Sequence, residues 1–482
     1  MSGSLWLKPG TSGDTLPFVP RQRPSWAAAD PVDELASRME ELIAAAVHPD
    51  EIAAILESDG MTDEHIRLTY GRENSFALAE DLYARVERRF PEPESPPARP
   101  WYSELGGCLL RGLIFALPGL AYVLGAPLLA GPPGPRGLPA GTVPLLGGAI
   151  TGWVWNQALS HRAYSWLGLG DRRAAARALL LGAPAGALLG AAVAVAVAGP
   201  GEWGAAAFAA GQALYLGAAT VLLVLGRDRA LLAALLPLVA GAPVAAWLGL
   251  PPAVRVALLL ASLTAAVAVA ARSVAPGLAR VAPGRAAPRL SASIPYGLFG
   301  LGTGGLVLYA AIGDVLADGP AAAVAAPSAV ALTLSMGPAE WLLHRFRGES
   351  QAGLRATGSA RAFRRTTAVT LVLCLAGYLA VLTVLALAGT WLWPDAPGLD
   401  GARLGSLLLI GTVLWAALLL QSYGAVTAAA AVCGAAAGAQ TVALATGAGD
   451  PRSVGLVVAG AAAVVLAGLG WVLLGRATAH RT

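Results

Sequence analysis

Beyond residue 104 the chain alternates apolar runs with short breaks of glycine, proline and arginine. Runs long enough to cross the hydrocarbon core of a bilayer lie at 106–130, 143–160, 178–198, 205–226, 229–249, 254–272, 291–313, 321–344, 367–390, 404–422, 425–446 and 454–475. The pattern predicts twelve membrane spans, with the shortest divisions at 226–229 and 422–425. Pro118, Pro184, Pro237, Pro295, Pro327 and Pro338 fall inside the runs. Prolines are tolerated in membrane helices, and several of these are expected to kink them. Gly182, Gly186 and Gly190 stand at four-residue spacing, as do Gly434 and Gly438, and such stripes predict close helix packing.

Before residue 104 the periodicity changes. Residues 1–27 are rich in Gly, Pro and Ser and are expected to be disordered. Residues 28–92 read as a soluble helical module. A first helix is expected over 31–46 with Asp30 as cap, a second from Asp50 to Glu57 closed by Gly60, and a third from Thr62 to Gly71. A fourth should start at Ser75 with Phe76, Leu78, Leu82, Tyr83 and Val86 on its apolar face. The helix-turn-helix outline invites a DNA-binding reading, but 17 acids face 6 arginines between Asp30 and Glu94. Phosphate contact needs the reverse, so an acidic docking module is expected and no nucleic-acid partner. The Pro-rich stretch 93–103 reads as a linker. The first bundle should then cover 104–274, a connector 275–289, a second bundle 290–476 and a tail 477–482.

Composition agrees with a membrane protein: 56% of residues are hydrophobic and 13% charged, against about a quarter charged in soluble domains. Lys8 is the only lysine, a sign of GC-rich coding rather than of chemistry. No apolar core follows a basic start, so no cleavable signal peptide is expected. With the N-terminus in the cytoplasm, inner loops and tail carry 18 arginines and outer loops only Arg136, Arg255, Arg403 and Arg452. That asymmetry predicts cytoplasmic N- and C-termini in the inner (plasma) membrane and an even number of spans.

One arrangement recurs. Gln157 stands four residues before His161-Arg162, and roughly 180 residues later, about six spans with loops, Glu340 stands four before His344-Arg345. Each pair ends an apolar run and leads into an arginine-rich stretch, as in an internal repeat. His480-Arg481 lacks the preceding polar residue. The fold class that follows is all-α: about twelve transmembrane helices in two repeated six-helix bundles, preceded by the soluble module. The bundles would be related by an axis along the membrane normal.

Ionisable residues within spans are candidates for function by default. Glu340 either forms an interfacial ion pair with His344 or Arg345 or serves transport. Arg111 either snorkels to headgroups or faces a central cavity and an anionic substrate. Asn156, Gln157, Gln212 and Gln421 (with Gln440) either line a polar cavity or bond between helices. His161, Arg162, His344 and Arg345 are candidates for the inner mouth or for lipid-phosphate contact, although orientation alone would place arginines there. Asp314 and Asp318 read as outer-loop residues. No P-loop, nucleophile elbow, HExxH or zinc-ligand cluster appears, and Cys108, Cys374 and Cys433 are scattered within apolar runs. No enzymatic activity, cofactor or metal is expected.

WNQALSHRAYSWLGLGDRRAAARALL resembles the segment after the second helix of polysaccharide flippases, in the multidrug/oligosaccharidyl-lipid/polysaccharide exporter superfamily. SIPYGLFG (293–300) and EWLLHRFR are similar to the membrane subunit of Pel-type exopolysaccharide export. The resemblance covers roughly 104–475 and leaves the acidic module outside. It implies alternating access of two halves about a midplane cavity that accepts a lipid-linked diphosphate glycan. Arg111 would face the cavity, with Arg162 and Arg345 at its inner mouth. The drug-extruding branch carries a carboxylate in the first helix; here only Glu104 stands at its start, against cation-coupled drug export. The expected function is export of a lipid-linked or polymeric glycan. The alternative is a scaffold that assembles a cytoplasmic glycan synthase through the N-terminal module. Expected partners are membrane lipids, a lipid-linked glycan and a cytoplasmic glycosyltransferase.

Overall fold

A computed structural model describes residues 30–87, 89, 105–131, 138–278, 287–318, 327–356, 359–392, 399–476 and 479, with backbone only at 311–318, 327–328, 355–356 and 392. The expected disordered segment 1–27, the linker 93–103, most of the connector and nearly all of the tail, His480-Arg481 included, lie outside these residues. So do the side chains of Asp314 and Asp318. The chain divides into two compact units, 1–99 and 100–482.

The first unit is helical: α1 (Pro31–Arg38), α2 (Glu40–Ala45), α3 (Pro49–Ser58), α4 (Asp63–Tyr70) and α5 (Ser75–Arg85). The single helix expected over 31–46 is broken at Met39. Caps set the remaining starts. Asp30 accepts from Val32 N, His48 rather than Asp50 caps α3 by accepting from Asp50 N, Thr62 accepts from His65 N, and Asn74 accepts from Ala77 N, with α5 starting at Ser75 as expected. Each satisfies an amide that the first turn leaves open. Gly71 ends α4 at φ 67°, a left-handed conformation open to glycine at little cost. Val32, Leu35, Ile43, Ile52, Leu56, Ile66, Leu78 and Leu82 form one core. Phe76, expected there, is exposed, because it lies off the Leu78/Leu82 face. Arg85 ties the ends of the unit together by pairing with Asp30, Asp33 and Asp81. Burial raises the Asp81 pKa, but hydrogen bonds from Arg72 and Arg85 outweigh it and hold the carboxyl below its ordinary value.

The second unit is also all-helical. It runs α6 (Leu105–Ala116), α7 (Leu120–Leu129), α8 (Thr142–Gly168), α9 (Arg172–Val197), α10 (Trp203–Val224), α11 (Asp228–Ala234), α12 (Leu236–Leu248) and α13 (Pro252–Val274). It continues with α14 (Ile294–Asp318), α15 (Pro327–Leu334), α16 (Met336–Ala356), α17 (Ala360–Leu392), α18 (Gly401–Ser422), α19 (Val426–Thr446) and α20 (Pro451–Leu474). Among the described residues eight helical segments are long and apolar enough to cross a membrane. The pair α11 and α12, bent by 40°, passes the same test only when the two are taken together as one broken span, which would be a ninth. This is a polytopic membrane protein. In α8 the residues Asn156, Gln157, His161 and Arg162 dilute the apolar character, and in α16 Glu340, His344, Arg345, Arg347 and Glu349 do so.

Proline places the breaks. Pro118 lies in the 3-10 turn between α6 and α7, Pro237 two residues after the α11–α12 break, and Pro338 three residues after the break at Ser335. A proline has no N–H for the carbonyl four residues back and crowds that carbonyl, so the helix parts just before it. Ser335 Oγ caps the loose end by donating to Leu332 O at 2.7 Å and lies 3.2 Å from the Tyr378 hydroxyl. Pro184 stays inside unbroken α9. The helix-compatible, arginine-rich stretches after the second and eighth runs are largely helical: α8 continues through His161-Arg162 to Gly168 and α9 resumes at Arg172, while α16 continues through His344-Arg345 to Ala356.

Helix packing sorts by position in the chain. One buried core is drawn from residues between Ile114 and Val274, and two others from residues between Phe299 and Leu474. Across that division α14 packs on α8, and α6 packs on α15 and α16. The stripe on α9 works as expected. A Cβ on Gly182 or Gly186 would strike Leu159 or Trp155 of α8, and one on Gly190 would lie 2.9 Å from Ala213 of α10. At the Gly434/Gly438 stripe the close approach comes from the facing helix instead. The space a Cβ would take at either is open, and it is Gly302 of α14 that abuts the Gly434 backbone.

Candidate functional site

The described residues hold two polar junctions where early and late helices meet. The first is built on the crossing of α6 and α16. A Cβ on Gly112 would lie 2.8 Å from the Gly337 Cα, and one on Gly337 2.7 Å from the Cys108 carbonyl. The glycines therefore let the backbones touch, and that contact brings Arg111 against Glu340. The guanidinium donates through Nη1 to Glu340 Oε1 and through Nε to Asp228 Oδ2 at 3.1 Å. Asp228 is the first residue of α11, where a carboxylate also meets the positive end of the helix. One helical turn beyond Glu340, His344 Nε2 lies 3.7 Å from Oε1. Side-chain exposures of 42% for Arg111, 26% for Glu340 and 20% for Asp228 place the cluster between a surface pair and a buried one. Its worth therefore lies between those limits, at about 1–3 kcal/mol.

The second junction joins α8 to α14. His161 stacks on Tyr296 with ring centroids 3.8 Å apart, and its Nδ1 lies 3.0 Å from Ser293 Oγ. Arg162 Nη1 donates to the Pro288 carbonyl at 3.3 Å. Gln157 covers Gly300, where a Cβ would lie 3.0 Å from its Cγ and 2.9 Å from the Trp153 carbonyl. Asn156 Nδ2 donates to Gly152 O at 2.8 Å, while its Oδ1 is buried without a hydrogen-bond partner among the described residues.

Sequence candidates thus separate into groups. Arg111, Glu340 and His344 come together. Asn156, Gln157, His161 and Arg162 line the α8–α14 contact. Arg345 turns from Glu340 to Glu349, at 2.7 Å, and lies over the Trp341 ring. Gln212 hydrogen-bonds the Tyr122 hydroxyl at 3.2 Å beside a largely apolar cavity of about 280 Å³ that also includes Phe208 and Ser262. Gln421 stands at the end of α18 with Oε1 buried and without a hydrogen-bond partner among the described residues. A further cavity of about 220 Å³ is lined by Tyr309, Arg403, Gln440 and Arg452. Asp228 is the member that sequence reasoning missed: its place between Arg227 and Arg229 reads as an ordinary interfacial charge. No protein-family model, curated protein or solved structure matches this chain.

Proposed function

We propose that the chain is a twelve-span inner-membrane transporter or export subunit, with the Arg111–Asp228–Glu340 cluster as a latch between two halves that rock against each other. The observation that carries this reading is the cluster itself. Arg111 and Asp228 come from the early helices, Glu340 from the late ones, and the charges meet where the two sets touch. A latch of a few kcal/mol holds a closed state and still yields to a substrate that binds the open state better. An anionic phosphate entering between the halves would draw Arg111 from its carboxylates, so one side chain both closes the path and recognises the cargo.

Two sets of neighbours support the topology. In a twelve-span arrangement with a cytoplasmic N-terminus, the start of span one, the turn before span five and the end of span eight all lie on the inner side; they carry Arg111, Asp228 and Glu340. The outer side receives Tyr309, Arg403, Gln440 and Arg452, which line one cavity. The separate early and late cores, and the reciprocal contacts of α8 with α14 and α16 with α6, support two repeated bundles. A lipid-linked or polymeric glycan is the cargo that the resemblance to polysaccharide exporters suggests.

The test is deletion of the gene in its host, followed by complementation with the wild-type chain or Arg111→Ala. Extracellular polysaccharide and lipid-linked intermediates in the membrane are then quantified. The expected outcome is loss of polymer with accumulation of an intermediate, restored by the wild-type chain and not by the variant at equal membrane abundance. Unchanged polymer and intermediates in the deletion strain would remove glycan export as the function.

One observation favours a second reading. The acidic N-terminal unit has its own buried core and could serve as a docking module for a cytoplasmic glycosyltransferase. A scaffold without a transport cycle would tolerate Arg111→Ala and fail on removal of residues 28–92.

A further inference from the structure

We propose that Cys108, Glu340 and His344 form a binding site for a transition-metal dication, with zinc(II) the ion their donors suit best. The Cys108 Sγ, a Glu340 carboxylate oxygen and a His344 ring nitrogen all lie within 4.8 Å of one another. Bond lengths of about 2.0–2.3 Å to these donors give tetrahedron edges of roughly 3.3–3.8 Å, so small side-chain rotations close the set around an ion. Thiolate, imidazole and carboxylate together select a borderline-soft metal over calcium or magnesium, which take oxygen. Three protein donors leave a fourth position for water or a ligand.

The surroundings favour the same ion. Glu340 and His344 are four residues apart on α16, hence on one face of the helix, and the Gly112–Gly337 contact holds Cys108 against that face. Arg111 donates to Glu340 Oε1, and a carboxylate has a second oxygen with which to bind a metal. Glu340 and Asp228 bring two carboxylates to the Arg111 guanidinium, and a dication meets the remaining negative charge. Nothing in the linear spacing announces the site, because Cys108 is drawn from a helix more than two hundred residues earlier than the other two donors. A metal there would bridge α6 and α16 and so fasten the same junction that the ion pairs close, whatever cargo the protein moves.

The test uses the full chain, purified in detergent, stripped with a chelator and titrated with cobalt(II). A thiolate–cobalt bond gives a near-ultraviolet charge-transfer band, and a tetrahedral site gives visible d–d bands. The expected result is one cobalt per chain with both signals, displaced by one equivalent of zinc. The double variant Cys374→Ser/Cys433→Ser, which keeps Cys108 as the only thiol, should retain the band. His344→Gln and Glu340→Gln should each weaken binding by at least about tenfold, as loss of a ligand exceeds loss of an outer-shell partner. Absence of the charge-transfer band from the folded double variant, or its persistence in Cys108→Ser, overturns the assignment. Because cobalt is read spectroscopically, failure here leaves the transport reading standing, and failure of glycan export leaves the metal site standing.

Discussion

The two junctions share a frame and differ in charge. In each, a long helix that carries a polar residue and, four positions on, a histidine lies against the first part of a helix from the other region of the chain. At α8 the polar residue is Gln157, which lies over Gly300, and the histidine stacks on Tyr296. At α16 the polar residue is Glu340, the histidine stays with it, and Gly112 lets the backbones touch. The first contact is assembled from ring stacking and hydrogen bonds without an ion pair, the second from a guanidinium between two carboxylates. One repeated pattern therefore gives a contact that can remain closed and another whose strength depends on its charges. Under the proposed transport cycle the neutral contact would serve as hinge and the charged one as latch.

The largest expected effect comes from removing the central cation. Arg111→Ala leaves Asp228 and Glu340 facing each other without it, and should cost about 2–3 kcal/mol, between the values for exposed and buried pairs. Asp228→Asn or Glu340→Gln should cost less, since each leaves Arg111 one carboxylate. Gln157→Ala, at the corresponding place in the neutral junction, should cost under about 1 kcal/mol, because it removes packing over Gly300 and breaks no ion pair. Denaturation of the purified variants in one detergent ranks them. Equal losses for Arg111→Ala and Gln157→Ala would erase the distinction between the junctions.

Next in size is the glycine contact. Gly112→Ala drives a methyl to within 2.8 Å of the Gly337 backbone, which cannot yield without parting α6 from α16. Overpacking of this kind costs about 1–3 kcal/mol, and the separation would also stretch the Arg111–Glu340 pair. At Gly300 the new methyl meets the Trp153 carbonyl at 2.9 Å, but its other close neighbour is the flexible Gln157 side chain, which can swing aside. Thermal midpoints should therefore fall further for Gly112→Ala than for Gly300→Ala. The reverse order would mean that the neutral junction is the tighter one.

How much of this was legible in the sequence follows from what kind of physics fixes each feature. The helices of the second unit sit close to the apolar runs because burial in hydrocarbon is written residue by residue: the run 178–198 became α9, Arg172–Val197. The ends of α8 and α16 were not legible. An apolar count stops at the first charged residue, whereas a helix continues through arginine, alanine and leucine, all good helix formers. The α15–α16 break could be read from Pro338. Arg111 and Glu340 stood out singly as costly charges in apolar surroundings. Their pairing did not, since the partners of Arg111 are 117 and 229 residues away. Asp228 gave no signal beside two arginines, nor did Cys108 as a donor. The repeat of Gln157/His161 and Glu340/His344 was legible, and it pointed to both junctions without showing their different chemistry.

The smallest effect discriminates most finely, because it asks how each junction responds to salt. The coupling between His161 and Tyr296, from a double-mutant cycle with His161→Ala and Tyr296→Ala, should be about 0.5–1.5 kcal/mol, the range for stacked rings. Ring stacking involves no net charge, so that coupling should stay constant as ionic strength rises. Arg111 is nearly half exposed, so ions reach its pair with Glu340. Between ~0.1 M and ~1 M salt the Debye length falls from about 10 Å to about 3 Å. The Arg111–Glu340 coupling should fall with it, by a few tenths of a kcal/mol, since the partly buried carboxylates keep some of it from the solvent. A neutral junction that weakened as much as the ionic one would mean that His161 carries charge in the folded protein. In that case both contacts would work as latches, and the hinge would have to lie elsewhere in the bundle.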